Sequence, residues 1–70
     1  MGMEIFAKRL REQRKGKGWT QVQTAVKLDI PQRTYSNYEI QKGFPPPELL
    51  VDIAKLFGVS IDYLMGNADI

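Results

Sequence analysis

The chain has 70 residues, sets ten Lys and Arg against eight Asp and Glu for a net charge of +2, and contains no cysteine and no histidine. Its size allows one domain, near the lower limit at which packing alone sustains a core. The missing residue types exclude disulfide staples, thiolate metal sites, cysteine nucleophiles and histidine acid–base chemistry. Apolar residues make up 43% of the chain but form no run long enough for a spanning helix or a signal-peptide core, so a soluble cytoplasmic protein without a membrane partner is expected.

Phe6 and Leu10, four apart among basic residues, predict a first amphipathic helix over 4–15, closed by Gly16 and Gly18. Thr20 and Gln23 have the capping-box spacing, so a second helix starts after Thr20, with Trp19 packing inward just before it. Thr24, Ala25 and Leu28 form the small inner face of that helix. Val22 and Val26 lie on its outer side and are expected to be partly buried.

Asp29 suits a sharp turn, because aspartate visits positive φ at modest cost, and Ile30 before Pro31 cannot continue a helix. A third helix is predicted over about 31–41. At ~100° per residue its tyrosines, Tyr35 and Tyr38, share the inward face with Pro31, while Arg33, Ser36 and Asn37 point the other way. That outward face carries hydrogen-bonding groups and no acid.

The triple proline at 45–47 makes a stiff connector, and Pro47 with Glu48 heads a fourth helix whose inner face is Leu49, Leu50, Ile53, Ala54 and Phe57. Gly58 ends it. Ser60 caps a short fifth helix with Ile61 and Leu64 pointing inward. Residues 1–66 form the expected domain and 67–70 a loose tail.

The charge is unevenly distributed. Residues 1–20 set Lys8, Arg9, Arg11, Arg14, Lys15 and Lys17 against Glu4 and Glu12, whereas 44–70 set Lys55 alone against Glu48, Asp52, Asp62 and Asp69. A polyanion approaching from the basic side would be favoured. "GKGWT" lacks the glycine spacing of a phosphate loop, and "FPPP" reads as a connector rather than as a ligand for a proline-binding domain.

Two short helices joined by a turn of about three residues, the second polar on its outer face, have the physical form of a helix-turn-helix. The joint spacing of Leu10, Arg14, "TQ" at 20–21, Ala25, Leu28, Ile30, Ser36, "YE" at 38–39, Pro45, Leu50, "IA" at 53–54 and "FGVSIDYLMG" from 57 resembles the phage repressor and Cro family, often called the Xre family. The resemblance covers residues 6–65. It implies an all-α, compact five-helix bundle of the lambda-repressor-like kind that binds double-stranded DNA as a transcriptional regulator, most simply a repressor on an inverted-repeat operator. It implies no enzymatic activity, no cofactor, no metal and no small-molecule substrate.

Carried over residue by residue, the resemblance assigns base reading to Gln32, Arg33 and Asn37, with Thr34 and Ser36 nearby. It assigns phosphate contact to Thr20, Gln21, Gln41 and Lys42, and a structural ion pair to Arg14 and Glu39. A homodimer is expected, with Leu56, Ile61, Tyr63 and Met65 as candidates for its surface. Asp29, Pro31, Thr24, Tyr35, Ile40 and Gln41 depart from the family pattern. The alternative is a protein-interaction or antitoxin-type module on the same scaffold.

Overall fold

The computed structural model describes residues 2–70. Five helices follow one another: α1 (Met3–Gly16), α2 (Gln21–Leu28), α3 (Gln32–Glu39), α4 (Pro47–Phe57) and α5 (Ile61–Leu64). Among the described residues there is no strand, and no helix is long and apolar enough to cross a membrane.

The helices start where local chemistry provides for their free N–H groups. Thr20 Oγ1 accepts from Gln23 N–H at 3.0 Å while Gln23 Oε1 accepts from Thr20 N–H at 2.8 Å, completing the capping box. Ser60 Oγ accepts from Tyr63 N–H at 2.9 Å. Pro31 occupies the cap position of α3, and Pro47 opens α4 as its first residue, where a missing N–H is no loss.

All five helices end in one way. A residue with positive φ (Gly18, Asp29, Gln41, Gly58 or Gly66) reverses the chain. The next amide (Trp19, Ile30, Lys42, Val59 or Asn67) then donates to the carbonyl five residues back, on Arg14, Ala25, Asn37, Ala54 and Asp62 respectively. This closure satisfies carbonyls that the helix leaves free. Three of the reversals use glycine, which has no Cβ to clash. The other two, Asp29 at φ 59° and Gln41 at φ 66°, stand on either side of α3. The predicted third helix over 31–41 is therefore too long by one residue at its start and two at its end, because Ile40 leaves helical geometry and Gln41 enters the left-handed region.

The core gathers one face from each helix. Phe6 and Leu10 of α1, Ala25 and Leu28 of α2, Tyr35 and Tyr38 of α3, Ile53, Ala54 and Phe57 of α4 and Leu64 of α5 form a single buried cluster. The Trp19 ring stacks at a tilt on Phe57, with centroids 5.8 Å apart, pinning the α1–α2 turn to α4. Phe6 meets Phe44 at 4.8 Å, which holds the segment between α3 and α4 against α1. Thr24, where an apolar residue would be ordinary, is fully buried; its hydroxyl donates to the Thr20 carbonyl at 2.9 Å, so no polar atom is left without a partner.

Two expectations of burial are corrected. Ile61 is 37% exposed, because the short α5 rotates Leu64 alone into the core. Val22 and Val26, expected to be partly buried, are 50% and 74% exposed, since no helix packs on the outer side of α2. Residues 67–70, expected to be loose, touch the body at defined points. Arg9 donates to the carbonyls of Tyr63 and Ala68, and Ser60 Oγ donates to the Ile70 carbonyl at 3.0 Å.

Gln41 lacks both the missing Cβ of glycine and the short polar side chain that makes aspartate tolerable at positive φ. Gln41→Gly should therefore raise stability by about 0.5–1 kcal/mol, the relief of strain exceeding the added freedom of the unfolded chain. Urea unfolding at neutral pH measures the difference.

Candidate nucleic-acid interface

The outer face of α3 follows from its inner one. Tyr35, Tyr38 and Glu39 are buried and fix the rotation of the helix. At ~100° per residue Arg33 and Asn37 then lie opposite them, with Gln32 and Ser36 on the flank toward α2 and Thr34 on the other flank. Gln32 and Arg33 are exposed, and Thr34, Ser36 and Asn37 are half-buried. The outer edge of α3 thus presents a guanidinium and two amides to the outside.

Beneath this face lies a built polar cluster. Glu39 is 3% exposed, and its carboxylate accepts four hydrogen bonds. Arg14 Nε reaches Oε2 at 2.7 Å and Arg14 Nη2 reaches Oε1 at 3.1 Å, a two-pronged ion pair. Gln21 Nε2 donates to Oε1 at 3.1 Å, and the Tyr35 hydroxyl donates to Oε2. The third nitrogen of Arg14, Nη1, donates to the Trp19 carbonyl at 2.9 Å. α1, α2 and α3 therefore meet at one carboxylate, and the α1–α2 turn is tied to it through Arg14.

The electrostatics agree with the geometry. Burial pushes the Glu39 carboxyl up, but the hydrogen bonds from Arg14, Tyr35 and Gln21 outweigh it and hold the group below its ordinary value. The bond to Glu39 holds the Arg14 guanidinium above its ordinary value against the opposing effect of burial. Burial first, and then the bond to Glu39, pushes the Tyr35 hydroxyl well above its ordinary range. Every member of the cluster is locked in the state in which it pairs.

Several site residues sit differently from what their type suggested. Ser36 is turned toward α2, and its hydroxyl donates to Gln21 Oε1. Gln21 therefore uses its oxygen on Ser36 and one amide hydrogen on Glu39, leaving a single hydrogen uncommitted. Thr20 Oγ1 is engaged in the capping box. Gln41 and Lys42 are exposed just past the end of α3. Gln41 also lines an open groove of about 340 Å³ with Lys8, Arg11 and Lys15 of α1, where Glu4 and Glu12 lie as well. Arg11 donates to the Glu39 carbonyl at 3.3 Å, so α1 also supports the last turn of α3. These α1 bases are functional candidates that the sequence signalled only as a charge excess.

Of the residues considered for a dimer surface, Leu56, Tyr63 and Met65 pack against the core and are partly buried, and Ile61 alone stands exposed. Tyr63 lies under the Arg9 guanidinium, 4.4 Å from its ring centroid, and its hydroxyl accepts from Gln13 Nε2 at 3.2 Å. Among the described residues no group of three or more His, Cys, Asp or Glu is placed to hold a metal ion.

Two helices at a three-residue turn, the second carrying an exposed polar edge at its N-terminal end, define a helix-turn-helix domain. A family described as Helix-turn-helix matches residues 10–64. The chain belongs to that family. Among similar proteins, the HTH-type transcriptional regulator ImmR of Bacillus subtilis (strain 168) is 40% identical over 65 residues, covering 93% of this chain and 51% of the relative. The uncharacterized HTH-type transcriptional regulator YobD of the same organism is 38% identical over 65 residues, covering 93% of this chain and 58% of the relative. The cryptic phage CTXphi transcriptional repressor RstR of Vibrio cholerae is 42% identical over 59 residues, covering 84% and 53%. The chain thus spans little more than half the length of these relatives.

The cluster makes two tests. Arg14→Ala leaves a carboxylate buried without its cation and should cost about 3–5 kcal/mol. Total stability of roughly 0.05–0.15 kcal/mol per residue is of that order for so short a chain, so thermal melting should show a largely unfolded variant at 37 °C. With acid, the sign follows from Glu39. Its folded-state value lies below the unfolded one, so its contribution is complete at neutral pH and is lost as pH falls through the carboxylate range. Melting temperature should drop from pH 7 to pH 3 in the native protein, and Glu39→Gln should start lower and fall less steeply over the same range.

Proposed function

We propose that the domain binds double-stranded DNA sequence-specifically as a transcriptional regulator in the cytoplasm, with α3 entering the major groove. The observation that carries this reading is the outward edge of α3, where Gln32, Arg33 and Asn37 stand opposite the buried face of Tyr35, Tyr38 and Glu39. An arginine can donate two hydrogen bonds to guanine O6 and N7, and a glutamine or asparagine can pair in the same forked manner with adenine. Thr34 borders that edge, and Ser36 lies behind it. Gln41 and Lys42, with the remaining hydrogen of Gln21 and the backbone beside Thr20, flank the groove where phosphates run. Lys8, Arg11 and Lys15 extend the same positive edge. The family and the names of its regulator and repressor members support the reading.

One such module buries little surface, so twofold pairing on an inverted repeat accompanies this proposal, with half-sites about one helical turn (~10 bp) or a multiple apart. Of Leu56, Ile61, Tyr63 and Met65, Ile61 is the one exposed and so the first candidate for the pairing surface. The bundle of 1–66 is the DNA-binding unit, and repression is the proposed regulatory effect.

Selection of bound duplexes from a random pool at near-physiological salt tests the reading. The native protein should enrich an inverted repeat. Arg33→Ala should lose about 1–3 kcal/mol and relax choice at one base position, whereas Lys42→Ala should weaken all sequences alike and reduce the salt dependence by about one counterion. Salt-sensitive retention without any enriched sequence would refute base reading by α3.

A further inference from the structure

The interior of α3 contains two kinds of contact. Tyr35 and Tyr38 pack apolar surface and decide which face of α3 is buried, but apolar attraction is non-directional and sets the fine angle of the helix less sharply than a hydrogen bond does. Hydrogen bonds are directional, and they weaken steeply with a change of angle or a few tenths of an ångström. On the flank of α3 that faces α2, both directional ties pass through one side chain. Gln21, the first residue of α2, accepts from Ser36 and donates to Glu39 at 3.1 Å. Ser36 and Glu39 are three apart, one turn along the same face. A single amide therefore grips α3 at two points along its axis.

We propose that Gln21 is a positioning residue that sets the rotation and axial register of α3 and thereby selects which base pairs Arg33 and Asn37 face, with Ser36 acting through it rather than on a base. The amide has one orientation that serves both partners, oxygen to the hydroxyl and nitrogen to the carboxylate. The Glu39 end is itself immobilised by Arg14, Nε to Oε2 at 2.7 Å, so α1 is the anchor and Gln21 the arm. Neighbouring Asn37 lies on the reading edge, one residue past Ser36, and moves with it. This inference rests on the proposed base reading by α3 and adds to it a determinant that touches no base.

The test compares Gln21→Leu, which keeps the bulk and removes both hydrogen bonds, with Ser36→Ala and the double variant, with Arg33 intact throughout. Selection from the random pool and affinities for the best site and its single-base variants are measured over a salt series. The expected result for Gln21→Leu is a changed or blurred preference at the positions that Arg33→Ala also affects, about tenfold in discrimination, with the salt slope unchanged. Ser36→Ala should shift the same positions in the same direction, and the double variant should add little to Gln21→Leu, because Gln21→Leu already breaks the one tie that Ser36→Ala removes. Loss that is uniform over all sequences, with base preference unchanged, would make Gln21 a phosphate contact alone and overturn the proposal. Additive effects of the two substitutions, with Ser36→Ala altering a base position of its own, would overturn it as well. So would unchanged preference in both singles. If Gln21→Leu does not fold, Ser36→Ala decides by the same readout: unchanged preference overturns the proposal. Failure of the native protein to enrich any sequence is a different outcome, refuting base reading by α3 itself and with it the ground of this inference.

Discussion

The molecule depends on one buried carboxylate. Glu39 sits where α1, the α1–α2 turn, α2 and α3 converge, and its four hydrogen bonds come from two of the other helices and from its own. A charge at that depth is tolerable only when paired and fully hydrogen-bonded, so the geometry around it leaves little latitude. The apolar core explains why the chain collapses. The carboxylate explains why it collapses into one arrangement of α3, since sliding that helix would strand a charge away from water. Polar specificity and apolar stability are thus supplied by different residues on the same face.

This division bears on what a small domain can do. With few core residues, the chain cannot rely on jigsaw packing alone to orient a helix of only two turns. Trp19 against Phe57 and Phe6 against Phe44 clamp the turn before α2 and the segment after α3 onto the rest of the bundle, so the pair of helices is held at its outer ends by rings and at its centre by charge. Helix propensity contributes little to α3, whose serine, threonine, asparagine and two tyrosines are middling formers. Its order comes from what it is attached to.

Much of this was legible in the sequence where signals are local. Thr20 and Gln23 announce a helix start through spacing alone, Asp29 before Ile30 and Pro31 announces a turn, and the period of Tyr35 and Tyr38 identifies the buried face. The Arg14 and Glu39 contact came only through family resemblance, since 25 residues separate the partners and neither has a local cue. The bond between Ser36 and Gln21 was not legible at all: a serine and a glutamine on polar faces are equally suited to solvent, to DNA and to each other, and only the crossing of α2 and α3 brings them together. Val26 and Ile61 misled for a related reason. Apolar residues at helical spacing imply burial only if a neighbour exists on that side, and the sequence does not say where the bundle ends. The end of α3 was misplaced because Ile40 and Gln41 carry no stop signal, while the reversal at Gln41 is imposed by the closure that follows it.

The five identical helix closures have a consequence for how such a protein can change. Each closure hands the chain to the next element through a hydrogen bond spanning five residues, with no slack on either side of α3. A substitution on the outer edge alters one contact and leaves the presentation of all others intact. Inserting or deleting a single residue within α3, between Arg33 and Tyr35, would instead turn arginine by ~100° relative to the buried tyrosines, and a change at Asp29 or Gln41 would break the closure on that side. The outer edge of α3 can therefore diversify letter by letter, but its length is frozen, and lineages that keep this architecture should vary in the composition of the α2–α3 segment while conserving its spacing.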